Sequence, residues 1–240
     1  WRSAVAGHEA EQKADNRGSE KARQLFLGAL LGDDHPLAQP VSGPDTAPAA
    51  TQEMVQGWWG TWPQGYFAPD RLVLTVASPL AAESTLERVE DYFGGGPAAA
   101  PSRGPYPPMQ PTTEPPEVEI GEAPQVTVLW GRIAEVAVED RAPLLVAMDA
   151  LSDRMTAVIR EREGLAYRLG AGVRHVPGGK WVLSASGGTR PENAGRVGEL
   201  IEELVVELNA TPLPLDDVTR LQARARRTRM LRGLSAASRA

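Results

Sequence analysis

"VIREREGLAYRLGAG", residues 158–172, decides the fold. Its first half is a charged helix end, with Arg160, Glu161, Arg162 and Glu163 in succession, and its second half alternates like a strand. Gly164 stands between them, and glycine takes the left-handed conformation of a helix C-cap without steric cost. The helix therefore stops at Gly164, and "AYRLGAGVRHV" (166–176) begins a strand that pairs antiparallel with "KWVLSASGG" (180–188) across "PGG" (177–179).

Working outward, "PLLVAMDALSDRMTAVIRER" (143–162) is one long helix with apolar residues three and four apart, and "PQVTVLWGRI" (124–133) is a strand before it. Two helices follow the hairpin, "PENAGRVGELIEELVVELN" (191–209) and "PLDDVTRLQARARRTRML" (214–231). Proline at an early position opens the first. The "SASGG" before it (184–188) lacks a phosphate-loop lysine or a dinucleotide fingerprint, so Gly187 and Gly188 read as a strand end rather than an anion cradle.

Farther upstream, "GGGPAAAPSRGPYPPMQPTTEPPE" (94–117) denies both helix and sheet their regularity and reads as a stiff, exposed linker. Before it come helices in "SEKARQLFLGALLG" (19–32) and "TQEMVQGWWGTWP" (51–63), a buried strand in "DRLVLTVAS" (70–78), and a helix in "AAESTLERVEDYFG" (81–94). The expected class is α+β.

Composition narrows the function classes. With 25 basic and 31 acidic residues the net charge is −6, which argues against a nucleic-acid binder despite the locally basic "RLQARARRTRMLR" (220–232), a solvated helix face. There is no cysteine, hence no disulfide, thiolate nucleophile or thiolate-bound metal. No apolar stretch reaches the roughly 18 residues of a membrane span, and the opening "WRSAVAGHEAEQKADN" lacks the regions of a signal peptide. These features favour a soluble chain, with the cytoplasm preferred over secretion. The first residues read as the inside of a helix and the last, "GLSAASRA", as no compact ending, so the sequence is expected to be a portion of a longer protein.

"AVIREREGLAYRLGAGV" (157–173), followed by "TRPENAGRVGELIEEL" (189–204), resembles the insulysin, pitrilysin and mitochondrial-processing-peptidase family of zinc endopeptidases, whose signature is an inverted H-x-x-E-H helix. "LFLGALLGDDHPLAQPVSG" (25–43) resembles that family's segment ending in a Gly-His-Pro-like turn, and "WGTWPQGYFAPDRLVLTVAS" (59–78) the tract entering the last strand of its zinc-bearing repeat. The resemblance implies two homologous α/β-sandwich repeats, antiparallel-rich sheets packed by helices, each incomplete here. Residues 1–95 would end the zinc-bearing repeat, 96–117 would link, and 118–240 would form most of the substrate-binding repeat.

H-x-x-E-H occurs nowhere in the 240 residues, and His8, His35 and His175 are too scattered to rebuild it. The resemblance implies that a glutamate on "HEAEQKADN" (8–16) completes a tetrahedral zinc site, with Glu9 in that position and Glu11 as the competing assignment. It also implies that Arg160 and Tyr167 reach a peptide substrate: the arginine fork grips a carbonyl or carboxylate, and the phenol donates to the oxyanion of hydrolysis. Gly164 is read as structural, and Glu161, Arg162 and Glu163 as solvated. The expected protein is a zinc metalloendopeptidase in its complete form, acting on peptides. It would work as a homo- or heterodimer with a zinc-bearing half or subunit, without nucleic acid or membrane. The alternatives are a non-catalytic subunit of a processing peptidase and a peptide-binding scaffold of the same fold.

Overall fold

A computed structural model describes residues 2–15, 18–40, 43, 51–60, 74–94, 107–111 and 124–232. The chain is α+β. Its described residues fall into two compact units, Arg2–Ala47 with Tyr106–Ala225, and Pro48–Pro105 with Arg226–Ala240.

The larger unit is built on β1 (Val126–Glu135), β2 (Ala166–Val176) and β3 (Lys180–Thr189), in the antiparallel order β1-β3-β2. The expected hairpin is present, with Gly178 and Gly179 at φ +82° and +77° in the turn, a region that only glycine enters without strain. Side chains of successive residues leave a strand on opposite faces, and both faces of β3 are covered. On one, Leu183 and Ala185 meet α5 (Arg141–Met155) and α6 (Ala194–Ala210) through Met148, Leu151, Met155, Val197, Leu200, Ile201 and Leu204. Those residues recur three and four apart, which is why each helix has an apolar stripe to bury.

On the other face, Val182, Val176 and Ile133 pack on Leu27 and Leu31 of α2 (Gly18–Leu31), which α1 (Arg2–Asp15) precedes. Gly131 lets α2 lie close to β1, because a Cβ there would run into the Phe26 ring and stand 2.6 Å from the Leu183 carbonyl. α1 and α2 fall in one unit with the sheet of residues 126–189. An amphipathic stripe shows that a helix is covered, not which sheet covers it.

Part of the expected exposed linker is docked. The Gln110 N–H donates to the Leu31 carbonyl at 2.9 Å, and Met109 packs on the α2 side of the sheet. Residues 95–106 and 112–117 lie outside the described set.

At the other edge of this unit, α7 (Leu215–Arg232) is tied to α5 by Asp153, which accepts from Arg224 at 2.8 Å and Arg220 at 3.0 Å. Burial raises the Asp153 pKa, but those two hydrogen bonds and the arginine charges outweigh it, so the carboxyl sits below its ordinary value.

The smaller unit contains α3 (Gln52–Gly60) and α4 (Ala82–Phe93). Here the expected buried strand is corrected. Residues 74–78 join no ladder among the described residues, and Leu74 and Val76 are 46% and 48% exposed. They line an open apolar groove with Leu80, Leu86 and Val89. None of the expected site residues lies on it. Residues 70–73 of that expected strand lie outside the described set.

Candidate functional site

The long helix expected over 143–162 changes character before it ends. After Met155 the chain winds as a π-helix, Thr156–Arg162, in which the hydrogen bonds span five residues rather than four. The apolar stripe does not announce this, because Ile159 follows Met155 by four residues and is as fully buried. The wide turn closes with the Glu163 N–H donating to the Val158 carbonyl at 3.0 Å and the Leu165 N–H to the Ile159 carbonyl at 2.9 Å. Gly164 lies between them at φ +68°, the left-handed cap expected of it.

A second irregularity follows at once. Ala166 is opposite Thr189 and Arg168 is opposite Gly188, so Tyr167 is the extra residue of a β-bulge. Bulges turn a side chain away from the regular pleat. Tyr167 is 80% exposed.

These two departures bring the nominated residues together. The guanidinium carbon of Arg160 is 5.9 Å from the Tyr167 ring centre, within cation–π range. Arg160 is exposed and makes no ion pair among the described residues, whereas its neighbours Arg162 and Glu163 pair at 3.2 Å. The helix end is thus salt-bridged through Arg162 and Glu163, while the Arg160 guanidinium stands by the exposed Tyr167 ring. Thr189, which the sequence reading passed over, also belongs here: it is 4% exposed and its hydroxyl donates to the Leu165 carbonyl.

The reading of Gly187 as structural fits its surroundings. A Cβ there would sit 3.0 Å from Leu169 and 3.2 Å from Val197, so glycine is what allows α6 to close on β3. The histidines are dispersed. His8 is exposed on α1, and His175 stands edge-on to Trp181 with ring centres 5.2 Å apart. His35 is buried in the turn after α2, where its Nδ1 accepts from the Leu37 N–H at 3.2 Å and burial holds its pKa below 6.5.

A sequence-family model described as the Peptidase M16 inactive domain matches residues 62–225. The chain belongs to the M16 peptidase family.

Solved structures resemble this M16 chain in fold. The periplasmic protease PqqL from Escherichia coli is 16% identical with a TM-score of 0.61, over 97% of this chain and 26% of its own. An M16 inactive domain from Pseudomonas fluorescens is 17% identical with a TM-score of 0.68, over 95% of this chain and 54% of its own. The ferredoxin protease FusC, solved with Arabidopsis ferredoxin, is 17% identical with a TM-score of 0.56, over 98% of this chain and 27% of its own. The M16 chain thus spans between about a quarter and about half of these structures. No curated protein matches it.

The described residues of this M16 chain do not by themselves fit zinc. Glu9 is exposed on α1, and the Glu11 side chain lies outside the described set. Among the described residues no three histidine, aspartate or glutamate side chains gather where a metal could be held. A four-coordinate site needs more than one carboxylate. No helix of the described residues is long and apolar enough to cross a membrane.

Proposed function

We propose that this M16 inactive domain acts on peptides held by a zinc-bearing repeat or subunit, with Arg160 and Tyr167 as its contacts to the peptide. One observation carries the reading. A π-turn and a β-bulge, both irregularities that recur at functional sites, place an arginine that has no carboxylate partner among the described residues beside an exposed tyrosine.

Each side chain has a distinct chemical part. The Arg160 fork offers planar donors to a peptide carbonyl or carboxylate. The Tyr167 hydroxyl donates to the oxygen on which negative charge develops as the peptide bond is attacked, so it lowers the barrier more than it strengthens binding. The hydrolytic groups belong to the zinc-bearing repeat. This chain's share is to orient the peptide and to stabilise charge upon it. Glu9, with Glu11 as the competing assignment, is the one carboxylate it would contribute to that metal.

In a second arrangement the zinc-bearing half is a separate subunit, and the chain works as a homo- or heterodimer with it. A division into repeats at 1–95, 96–117 and 118–240 accompanies either arrangement. The preference for the cytoplasm has no support among the similar structures, of which PqqL is a periplasmic protease.

A photo-crosslinking amino acid at position 167, in the assembly that carries H-x-x-E-H, tests the reading with a mixed decapeptide library as probe. Position 167 should label peptide, and position 92, where Tyr92 is 84% exposed in the other unit, should not. Labelling at neither position, or at both equally, would overturn it.

A further inference from the structure

We infer that Thr189 is a positioning residue for the Arg160–Tyr167 pair: its buried hydroxyl clamps the short connection between the π-helix and β2 that carries both side chains. The inference rests on the reading of that pair as a peptide contact.

The connection is Glu163–Leu165, and it is held at both ends. On the helix side, the Glu163 N–H donates to Val158 and the Leu165 N–H to Ile159. On the sheet side, the hydroxyl of Thr189 donates to the Leu165 carbonyl. Between these anchors a Cβ added at Gly164 would meet nothing within 4 Å, and the hydrogen bonds on either side hold its left-handed backbone.

Thr189 is suited to the task by place and by shape. It ends the central strand β3 and is opposite both Val126 of β1 and Ala166 of β2, so its backbone is set from two sides. It is β-branched, and its χ1 is stiff. The hydroxyl is therefore aimed, and it grips Leu165, one residue before the terminal Ala166–Thr189 pair of β2. Tyr167 comes next, on the bulge, and regular pairing resumes only at Arg168. Releasing the Leu165 carbonyl frees the strand on the helix side of the bulge, and with it the direction of the Tyr167 ring relative to Arg160. A displacement of about 1 Å at a reacting group costs up to about 10²-fold in rate.

Thr189→Val keeps the branched shape and removes the donor; Thr189→Ser keeps the donor. Hydrogen exchange on the 240-residue chain tests the clamp without reference to activity. The Leu165 amide should exchange about tenfold faster in Thr189→Val and at the parent rate in Thr189→Ser. In the assembly bearing H-x-x-E-H, with the decapeptide library quenched for fluorescence, Thr189→Val should lower kcat by about 10- to 100-fold at nearly constant KM. Thr189→Ser should restore it, and Thr189→Val should add little in a Tyr167→Phe background. Should Thr189→Val not fold, Thr189→Ala makes the same test with less bulk. Parent-like exchange at Leu165 in the donorless variant overturns the inference, as does parent-like kcat beside a defective Tyr167→Phe. A Tyr167→Phe variant with parent kinetics instead overturns the proposed function, and the positioning role falls with it.

Discussion

The guanidinium carbon of Arg160 lies 5.9 Å from the centre of the ring of Tyr167, the bulged residue, although six residues and a helix end separate the two in sequence. The nearness depends on the backbone between them being irregular in a fixed way, and Gly164 is where that irregularity is most exposed to substitution.

Gly164→Ala is expected to lower stability by about 1–2 kcal/mol, the cost of a Cβ in the left-handed region. Nothing lies within 4 Å of the added carbon, so strain is the whole effect. Gly131→Ala gives the contrasting case at an ordinary backbone angle. Its Cβ meets the Phe26 ring and the Leu183 carbonyl, and overpacking there should cost about 1–3 kcal/mol and loosen α2. Urea unfolding midpoints of the two variants check both numbers, and hydrogen exchange in α2 separates the causes: it should rise in Gly131→Ala only.

Acid should weaken the larger unit in two separate windows. Burial lowers the His35 pKa below 6.5, so below about that pH the unfolded chain binds a proton that the folded chain refuses. Stability then falls with pH, at a slope of at most about 1.4 kcal/mol per pH unit for one group, until the folded pKa is reached. Asp153 is depressed below 3.8, and its contribution, present above that value, is lost only as pH falls through the lower folded pKa. Urea titrations between pH 7 and 5 therefore report His35. His35→Asn keeps an acceptor for the Leu37 N–H and cannot titrate, so its slope in that range should be shallower than the parent's. An equal slope would assign the effect to another group.

Metal binding by the isolated chain is expected to be weak. One exposed carboxylate at Glu9 offers zinc a single ligand, and the described residues supply no cluster around it. Equilibrium dialysis of the 240-residue chain against zinc should leave it far below one equivalent, and Glu9→Gln should change nothing in the chain alone. Stoichiometric, chelator-sensitive zinc would show a site that this reading lacks.

The hairpin, its turn and the helices around it were legible because each carries its own local signal: alternation in 166–176, "PGG" at the turn, and apolar residues three and four apart in α5 and α6. What escaped was non-local or ambiguous in phase. Ile159 suits the stripe of an α-helix as well as that of a π-turn, and nothing in "GLAYRL" marks a bulge at Tyr167. The fit of α2 on β1 depends on Gly131 meeting Phe26 across about a hundred residues of chain. The docking of Met109 was hidden by the prolines around it, and "DRLVLTVAS" has the apolar content of a buried strand whether or not a sheet is there to receive it. Arg160 and Tyr167 were named by resemblance to a family. Thr189 was not, because the carbonyl it holds is 24 residues away and no short pattern records it.

The most direct measurement is the turnover of Tyr167→Phe in the assembly that carries H-x-x-E-H, measured beside Arg160→Lys with the quenched decapeptide library. The ring and the strand are kept in the first variant, and the charge without the planar fork in the second. If the phenol donates to the developing oxyanion, Tyr167→Phe should lose about 10²–10³ in kcat with little change in KM, and Arg160→Lys should raise KM. A kcat within about twofold of the parent for Tyr167→Phe, together with an unchanged KM for Arg160→Lys, would contradict the account.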